Sequence, residues 1–203
     1  EAREARTGLA QDAPVAHSLR SAMSPSPLEL PAGIRLSGRM SSAEGVIAGD
    51  WWDVIECPEG RIGVVIGDVA GHGAPAGIVA LQVRTLLHAA LASGAQPDGA
   101  LRLAHQALRN SRTFATALVM VIDPVSHVLR WANAGHHPAL LIGIDDVTTA
   151  LEPTGPLISA LEGQWSSNQT ITRAGDALFA FTDGLIEGTK NDGSMLETET
   201  LLS

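Results

Sequence analysis

Apolar and polar positions change their spacing several times along the chain, and each change predicts an element. Between Ile34 and Met40 the run Ile-Arg-Leu-Ser-Gly-Arg-Met alternates, which predicts a half-buried strand. Trp51–Ile55 and Ile62–Ile66 predict two further strands. The turn cluster Cys57-Pro58-Glu59-Gly60 between them predicts a hairpin. From Pro75 to Leu91 the spacing lengthens to three and four, predicting a helix with Ile78, Val79, Val83, Leu86, Leu87 and Ala90 on its buried face. A second helix is predicted from Asp98 to Leu108, with Asp98 as N-cap and Leu101, Ala104 and Leu108 on one face. Strand patterns return at Thr116–Ile122 and Val128–Ala132, on either side of an Asp123-Pro124 turn, and again at Ala139–Ile144. The last two, Gln169–Thr172 and Ala177–Phe181, flank an Ala174-Gly175-Asp176 turn.

Strands, then two consecutive helices, then strands joined by tight turns do not make alternating βαβ units. The order predicts an α+β domain with antiparallel sheets and helices packed on their faces. Ahead of it, residues 1–23 are polar and alanine-rich, with Leu9, Val15, Leu19 and Met23 as a thin apolar stripe. Ser24-Pro25-Ser26-Pro27 ends any helix there, because a residue before proline is pushed out of the α region. The division is therefore an N-terminal helix or linker over 1–27 and a domain over 28–203. The first segment reads as a linker or edge-packed helix, or as the end of a signalling helix from an upstream sensor domain. Dimerisation through it stays open.

At 203 residues and 45% hydrophobic content, the chain can bury one sizeable core. Thirteen Lys and Arg against 22 Asp and Glu leave a net charge of −9, which argues against nucleic acid or an anionic membrane as partner and suits cations. Arg84 and His88 interrupt the longest apolar run, so no membrane span is predicted. Cys57 is the one cysteine and cannot form an internal disulfide, so a reducing, cytoplasmic setting is expected. The opening Glu1-Ala2-Arg3 reads as the start of a piece of a longer protein.

Three aspartates stand beside glycine at strand boundaries. They are Asp50 in Gly49-Asp50-Trp51-Trp52-Asp53, Asp68 in Gly67-Asp68-Val69-Ala70-Gly71-His72-Gly73, and Asp183 in Phe181-Thr182-Asp183-Gly184. A lone Asp at such a place is usually a turn residue. Carboxylates gathered at the ends of neighbouring strands repel unless a cation joins them. Hard oxygen donors without paired Cys or His point to Mg²⁺ or Mn²⁺ rather than zinc. Gly71-His72-Gly73-Ala74-Pro75-Ala76 fits the dinucleotide pattern, but the acidic residue required about 20 positions on is absent, so a nucleotide fold is not expected.

Six blocks carry a resemblance. They are the blocks around Asp50 and Asp68 just given, Thr116-Ala117, Asn133-Ala134-Gly135-His136-His137-Pro138, Gly155-Pro156-Leu157, and Gly175-Asp176 leading into Phe181-Thr182-Asp183-Gly184. In that order and spacing, roughly from Leu28 to Leu202, the chain resembles the bacterial SpoIIE/RsbU class of metal-dependent PPM-type serine/threonine phosphatases, relatives of protein phosphatase 2C. The resemblance implies a sandwich of two antiparallel β-sheets flanked by α-helices, with two Mn²⁺ or Mg²⁺ ions at one end. Asp68 would bridge both ions, the Val69 backbone carbonyl would bind one, Asp50 would join that same ion directly or through water, and Asp183 would hold the other. A water shared by the ions would attack phosphorus in line. Asp53 is expected in the outer sphere and Asp176 only in a turn. His72 is either a general acid for the leaving serine or a structural hydrogen bonder. Asn133, His136 and His137 are read as a turn that orders the sheet end. Of Trp51 and Trp52, one ring should enter the core and the other face the opposite way.

Members of that class end in a strand bearing a further metal-binding Asp in an Asp-Asp-x-Thr motif. The chain stops at Leu201-Leu202-Ser203 before such a strand, so the domain is expected to lack its C-terminal end and one ion site to be weak. Asp145-Asp146-Val147-Thr148 mimics the motif but precedes Asp183, in an expected hairpin turn. The resemblance implies hydrolysis of phosphoserine or phosphothreonine on a partner of the anti-anti-sigma-factor type, in bacterial stress or developmental signalling. The alternative is a catalytically weak binding module of the same fold.

Overall fold

The computed structural model describes residues 18, 21–25, 27–40 and 49–186. Its elements run β1 (Trp51–Cys57), β2 (Arg61–Val69), α1 (Ala74–Ala92), α2 (Pro97–Ala104), β3 (Ala115–Asp123), β4 (Val128–Ala134), β5 (Ala139–Ile142), β6 (Thr148–Leu151), β7 (Asn168–Ile171), β8 (Ala177–Phe179) and the single helical turn α3 (Asp183–Ile186). A five-stranded antiparallel sheet has the order β1-β2-β3-β4-β7, and a three-stranded one the order β6-β5-β8.

Alternation along the strands of the large sheet splits its side chains between two cores. Toward the helices, Trp51, Ile55, Val65, Val119 and Ala132 pack with Val83, Leu87 and Leu91 of α1 and Leu101 of α2. Toward the small sheet, Leu118, Met120, Leu129 and Trp131 pack with Ala139, Leu141 and Leu151. The layers are helices, large sheet, small sheet, the expected α+β sandwich. Among the described residues, the long helices cover only the outer face of the large sheet. Trp51 lies in the core, while Trp52 turns away and its ring passes so close to Gly38 that a Cβ there would come within 2.4 Å of it. Gly67 is needed for a similar reason: a Cβ would meet the Trp51 ring at 2.6 Å.

Several sequence expectations need correction. Ile34–Met40 forms no strand; Ile34 and Leu36 are half-buried, but the segment joins neither sheet. Alternation recorded which side chains face the body, and pairing requires a strand edge that this segment does not meet. The hairpin around Pro58–Gly60 forms as expected. On α1, Ile78 is 48% exposed, and the small residues Ala76, Gly77 and Ala80 take the buried stripe that lets the helix approach the sheet. Asp98 is not an N-cap. Gln96 holds that position, and Asp98 lies in the first turn, paired with Arg102 at 2.5 Å and bonded by the Ser167 hydroxyl. Helix α2 also ends at Ala104, and a short 3-10 turn, His105–Ala107, replaces its last turn. Strands β7 and β8 flank their turn, yet they belong to different sheets, so the chain crosses between layers there. The hairpin expected around Asp145 and Asp146 forms, and β6, to which the pattern assigned no strand, is its second arm.

By length and composition α1 would suffice to cross a bilayer, with a mean hydropathy of 1.3 over the relevant window. Here it is the core helix, and its apolar face is spent on β1 and β2. Its one buried cation, Arg84, reaches Asp53 of β1 at 3.0 Å and donates to the carbonyls of Ala22 (2.6 Å) and Ser24 (2.9 Å). His88, one turn on, meets the same Asp53 oxygen at 2.8 Å. Met23, between those two carbonyls in sequence, is buried in the helix-side core. The described end of the N-terminal segment is thereby tied to α1 and β1. The expected helix over 1–23, and dimerisation through it, lie mostly outside the described residues.

Removing one partner of a buried ion pair leaves the other charge without compensation, at a cost of about 3–5 kcal/mol. Arg84→Met should therefore lower the free energy of urea unfolding by about 3 kcal/mol, and Asp53→Leu combined with Arg84→Met should recover part of that loss. Equal losses in the single and double variants would show that the side chains matter by volume alone.

Candidate metal centre

The ladder between β1 and β2 pairs Trp51 with Gly67, so Asp50 and Asp68 meet at the same end of adjacent strands. The helical turn at Asp183 enters from the small sheet, and a Cβ on Gly184 would lie 3.5 Å from the Asp50 carboxylate. One carboxylate oxygen from each of Asp50, Asp68 and Asp183 lies within 4.8 Å of the others, and all three residues are half-buried. No other group of three potential metal ligands this close occurs among the described residues.

Gly49 shapes this cluster. Its carbonyl accepts the Val69 N–H at 3.2 Å, and a Cβ on it would come 2.0 Å from the Val69 carbonyl oxygen and 2.6 Å from an Asp68 carboxylate oxygen. Those two oxygens therefore stand side by side over a bare backbone, with Asp50 next in the chain. Hard oxygen donors in this arrangement fit Mg²⁺ or Mn²⁺, and three mutually repelling carboxylates gain from a dication.

A cleft of about 230 Å³ opens beside the cluster, lined by Asp68, Phe114, Thr116, Gly135, His136, His137, Pro138 and Asp183. Gly135–Pro138 supply one side of it, held from behind by Asn133. Asn133, fully buried, accepts the His136 N–H at 2.8 Å and donates to the His136 carbonyl at 3.1 Å. The His136 ring points inward. Its Nε2 lies 3.1 Å from the Phe181 carbonyl, which can only accept, so Nε2 carries the proton. Nδ1 then accepts from the Thr116 hydroxyl at 2.8 Å. This strut joins β3, the 133–138 segment and the chain leading into Asp183. Burial, and then the neighbouring His137, hold the His136 pKa down at about 4.

Asp53 lies apart from the cluster, which corrects the expectation of an outer-sphere role. It sits on the helix-facing side of β1, with its carboxylate on Arg84 and His88. The pattern in Gly49-Asp50-Trp51-Trp52-Asp53 suggested a shared site, but strand alternation sends Asp53 under α1. His72 stands exposed between Gly71 (φ 107°) and Gly73 (φ 79°), and it is not on the cleft lining. Asp176 closes its turn by accepting the N–H of Arg173 at 2.7 Å and of Ile144 at 3.1 Å. Asp145 and Asp146 remain in the β5–β6 turn. Cys57 is buried in the helix-side core, where desolvation pushes its thiol pKa up and leaves no activated nucleophile.

Sequence reasoning assigned no role to Thr113 or Phe114. The Thr113 hydroxyl donates to the Ala70 carbonyl at 2.8 Å, and the Phe114 carbonyl accepts the Ala70 N–H at 2.9 Å, clamping the loop that follows Asp68. Phe114, 46% exposed, forms one wall of the cleft. The only advance signal was its place just before Thr116-Ala117. The Gly155-Pro156-Leu157 block is likewise structural: Gly135 (φ 64°) lies against the Leu157 backbone, and Trp165 donates to the Pro156 carbonyl at 2.7 Å.

Two outcomes follow. Gly49→Ala fills the space beside the Val69 carbonyl, so in a thermal melt Mn²⁺ should raise the Tm of the parent chain and not that of the variant. His136 titrates near 4 folded against 6.5 unfolded, so the unfolded chain binds more protons between those values. Its contribution, on the order of 3 kcal/mol, is present in full above about pH 6.5 and is lost as pH falls toward 4. Urea unfolding at pH 7 and pH 4.5 should show a smaller pH dependence in His136→Gln than in the parent.

The profile of the Stage II sporulation protein E (SpoIIE) family matches residues 58–203. The phosphoserine phosphatase RsbP of Bacillus subtilis (strain 168) is 26% identical over 156 residues, covering 73% of this chain and 39% of RsbP. The structure of the RsbU and RsbW domains of Rv1364c from Mycobacterium tuberculosis is 31% identical with a TM-score of 0.65, covering 76% of this chain and 43% of that one. RsbX, solved in complex with magnesium, shares the fold at 18% identity and a TM-score of 0.61, with 68% of each chain covered. The chain thus spans less than half the length of the first two. Its two-sheet architecture is that of the PPM phosphatases, and the chain belongs to the SpoIIE family.

Proposed function

We propose that the domain is a Mn²⁺- or Mg²⁺-dependent phosphatase that hydrolyses phosphoserine or phosphothreonine on a regulatory protein partner. The observation that carries this reading is the convergence of Asp50, Asp68 and Asp183 at one edge of the cleft. The cleft lining contains two carboxylates and no Lys or Arg, so a phosphate dianion would be repelled unless cations intervene. Asp68, Asp50 and the Val69 carbonyl would hold one ion, and Asp183 with Asp68 a second. Bound there, such ions lower the pKa of water toward neutrality and offset charge on the phosphoryl oxygens. The rest falls to the chain: the Thr116–His136–Phe181 strut keeps Asp183 aligned with Asp68, and the cleft admits the phosphorylated side chain.

RsbP supports the phosphoserine class, because it carries that activity in its name. The family resemblance supports an anti-anti-sigma-type regulator as partner; the N-terminal segment suggests an upstream sensor, and the single cysteine suits a cytoplasmic setting. Magnesium bound to RsbX supports the choice of ion.

The test is Mn²⁺-dependent hydrolysis of an aryl phosphate and then of a phosphoserine peptide. EDTA should abolish turnover. Changes around a metal ligand alone cost about 10–100-fold, so Asp68→Asn should lower kcat/KM by on the order of 100-fold or more. Without metal, Asp68→Asn should melt at a higher temperature than the parent, because one of three repelling charges is gone. Mn²⁺ at a hundred times its Kd should stabilise the parent by about 2.7 kcal/mol, and the variant by far less. Metal binding without turnover would favour the catalytically weak binding module instead.

A further inference from the structure

Serine and threonine leave phosphorus as alkoxides, which are far more basic than aryl oxides, so their departure needs a proton donor in the cleft. The sequence left His72 as one candidate, and the structure has it exposed and off the lining. His136 lines the cleft, but both its ring nitrogens are committed to Thr116 and Phe181. His88 is engaged by Asp53, and His105 by the Leu161 carbonyl. One histidine remains on the lining.

His137 is half-buried, shares the cleft with Asp68 and Asp183, and makes no ring-nitrogen hydrogen bond among the described residues. Its ring is nevertheless held in place. It stacks on Phe181 with centroids 5.7 Å apart and planes at 21°, and Phe181 in turn stacks on Phe179 at 5.5 Å and 30°. The backbone behind it is fixed by the Asn133–His136 bonds. A ring fixed by stacking, with both nitrogens available at the rim of an acidic cleft, is suited to meet a substrate oxygen. The titratable groups lining that cleft with it are Asp68, Asp183 and His136.

We propose that His137 is a catalytic residue that donates a proton to the departing serine or threonine oxygen. The proposal rests on the phosphatase reading above. The oxygen of water forms a bond to phosphorus and gives up a proton to solvent. The bond from phosphorus to the seryl oxygen breaks, and its electron pair goes to that oxygen. The oxygen takes the proton from the His137 imidazolium, and the free alcohol and hydrogen phosphate leave. The neutral imidazole then recovers a proton from solvent.

The experiment compares kcat/KM on a phosphoserine peptide and on a series of aryl phosphates of rising leaving-group basicity, for the chain and for His137→Gln. Loss of a general acid costs about 100-fold or more where the leaving group needs it. The variant should lose on that order with the peptide and much less with the most acidic phenol, so its dependence on leaving-group basicity steepens. Its Mn²⁺-induced rise in Tm should match the parent. Equal losses on every substrate, or no loss on the peptide, overturn the proposal and leave the phosphatase reading standing. A steep dependence in the parent chain itself overturns it without any variant. Absence of metal-dependent turnover in the parent overturns the phosphatase reading, and the proposal with it.

Discussion

Everything at the candidate site depends on one hydrogen-bonded register. Trp51 opposite Gly67, and Asp68 opposite Thr116, bring the start of β1, the end of β2 and the start of β3 to a single edge of the large sheet. Asp50, Asp68 and the Val69 carbonyl arrive there because they sit at strand ends. Thr116 arrives there as the anchor of the His136 ring. A slip of one residue between β1 and β2 would either turn Trp51 out of the core or carry Asp68 to the opposite face. The burial of Trp51, Val65 and Val119 on the helix side therefore holds the carboxylates in place as firmly as any contact within the site.

The register also explains why like charges can be assembled at all. Gathering Asp50, Asp68 and Asp183 is unfavourable by itself, and the cost is met by two hydrophobic cores on either side of the sheet. A protein that accepts this repulsion gains a place where a dication binds more tightly than at an isolated carboxylate. The buried group of Asp53 with Arg84 and His88 serves a different end. It lies on the helix side, where the Arg84 charge offsets that of Asp53 and the carbonyls of Ala22 and Ser24 accept from the two terminal nitrogens of Arg84. Two aspartates three positions apart, one just ahead of β1 and one within it, thus meet opposite electrostatic surroundings.

Rigidity at the cleft comes from neutral groups. His136 is held uncharged by burial and acts as a strut, while His137, its neighbour, keeps its ring on the open side. The difference is one residue of backbone, set by the turn at Gly135 and the Asn133 side chain. Because the lining carries no Lys or Arg, most of the charge compensation for a bound phosphate is left to cations.

Sequence alone determined the element order, most strand positions, the hairpin at Pro58–Gly60 and the three aspartates, because local periodicity and turn chemistry are written in neighbouring residues. It also carried the family, through blocks whose order survives at low identity. Only the tertiary structure decided which strand edges pair, so Ile34–Met40 stayed outside both sheets and β7 and β8 parted into different layers. Only packing decided that Asp53 turns under α1 to a buried arginine, while Asp50 joins Asp68 and Asp183. The same holds for Phe114 and His137, whose meaning lies in what stands opposite them across the cleft. Such contacts join residues far apart in the chain, and local sequence pattern does not encode the partner a side chain will meet.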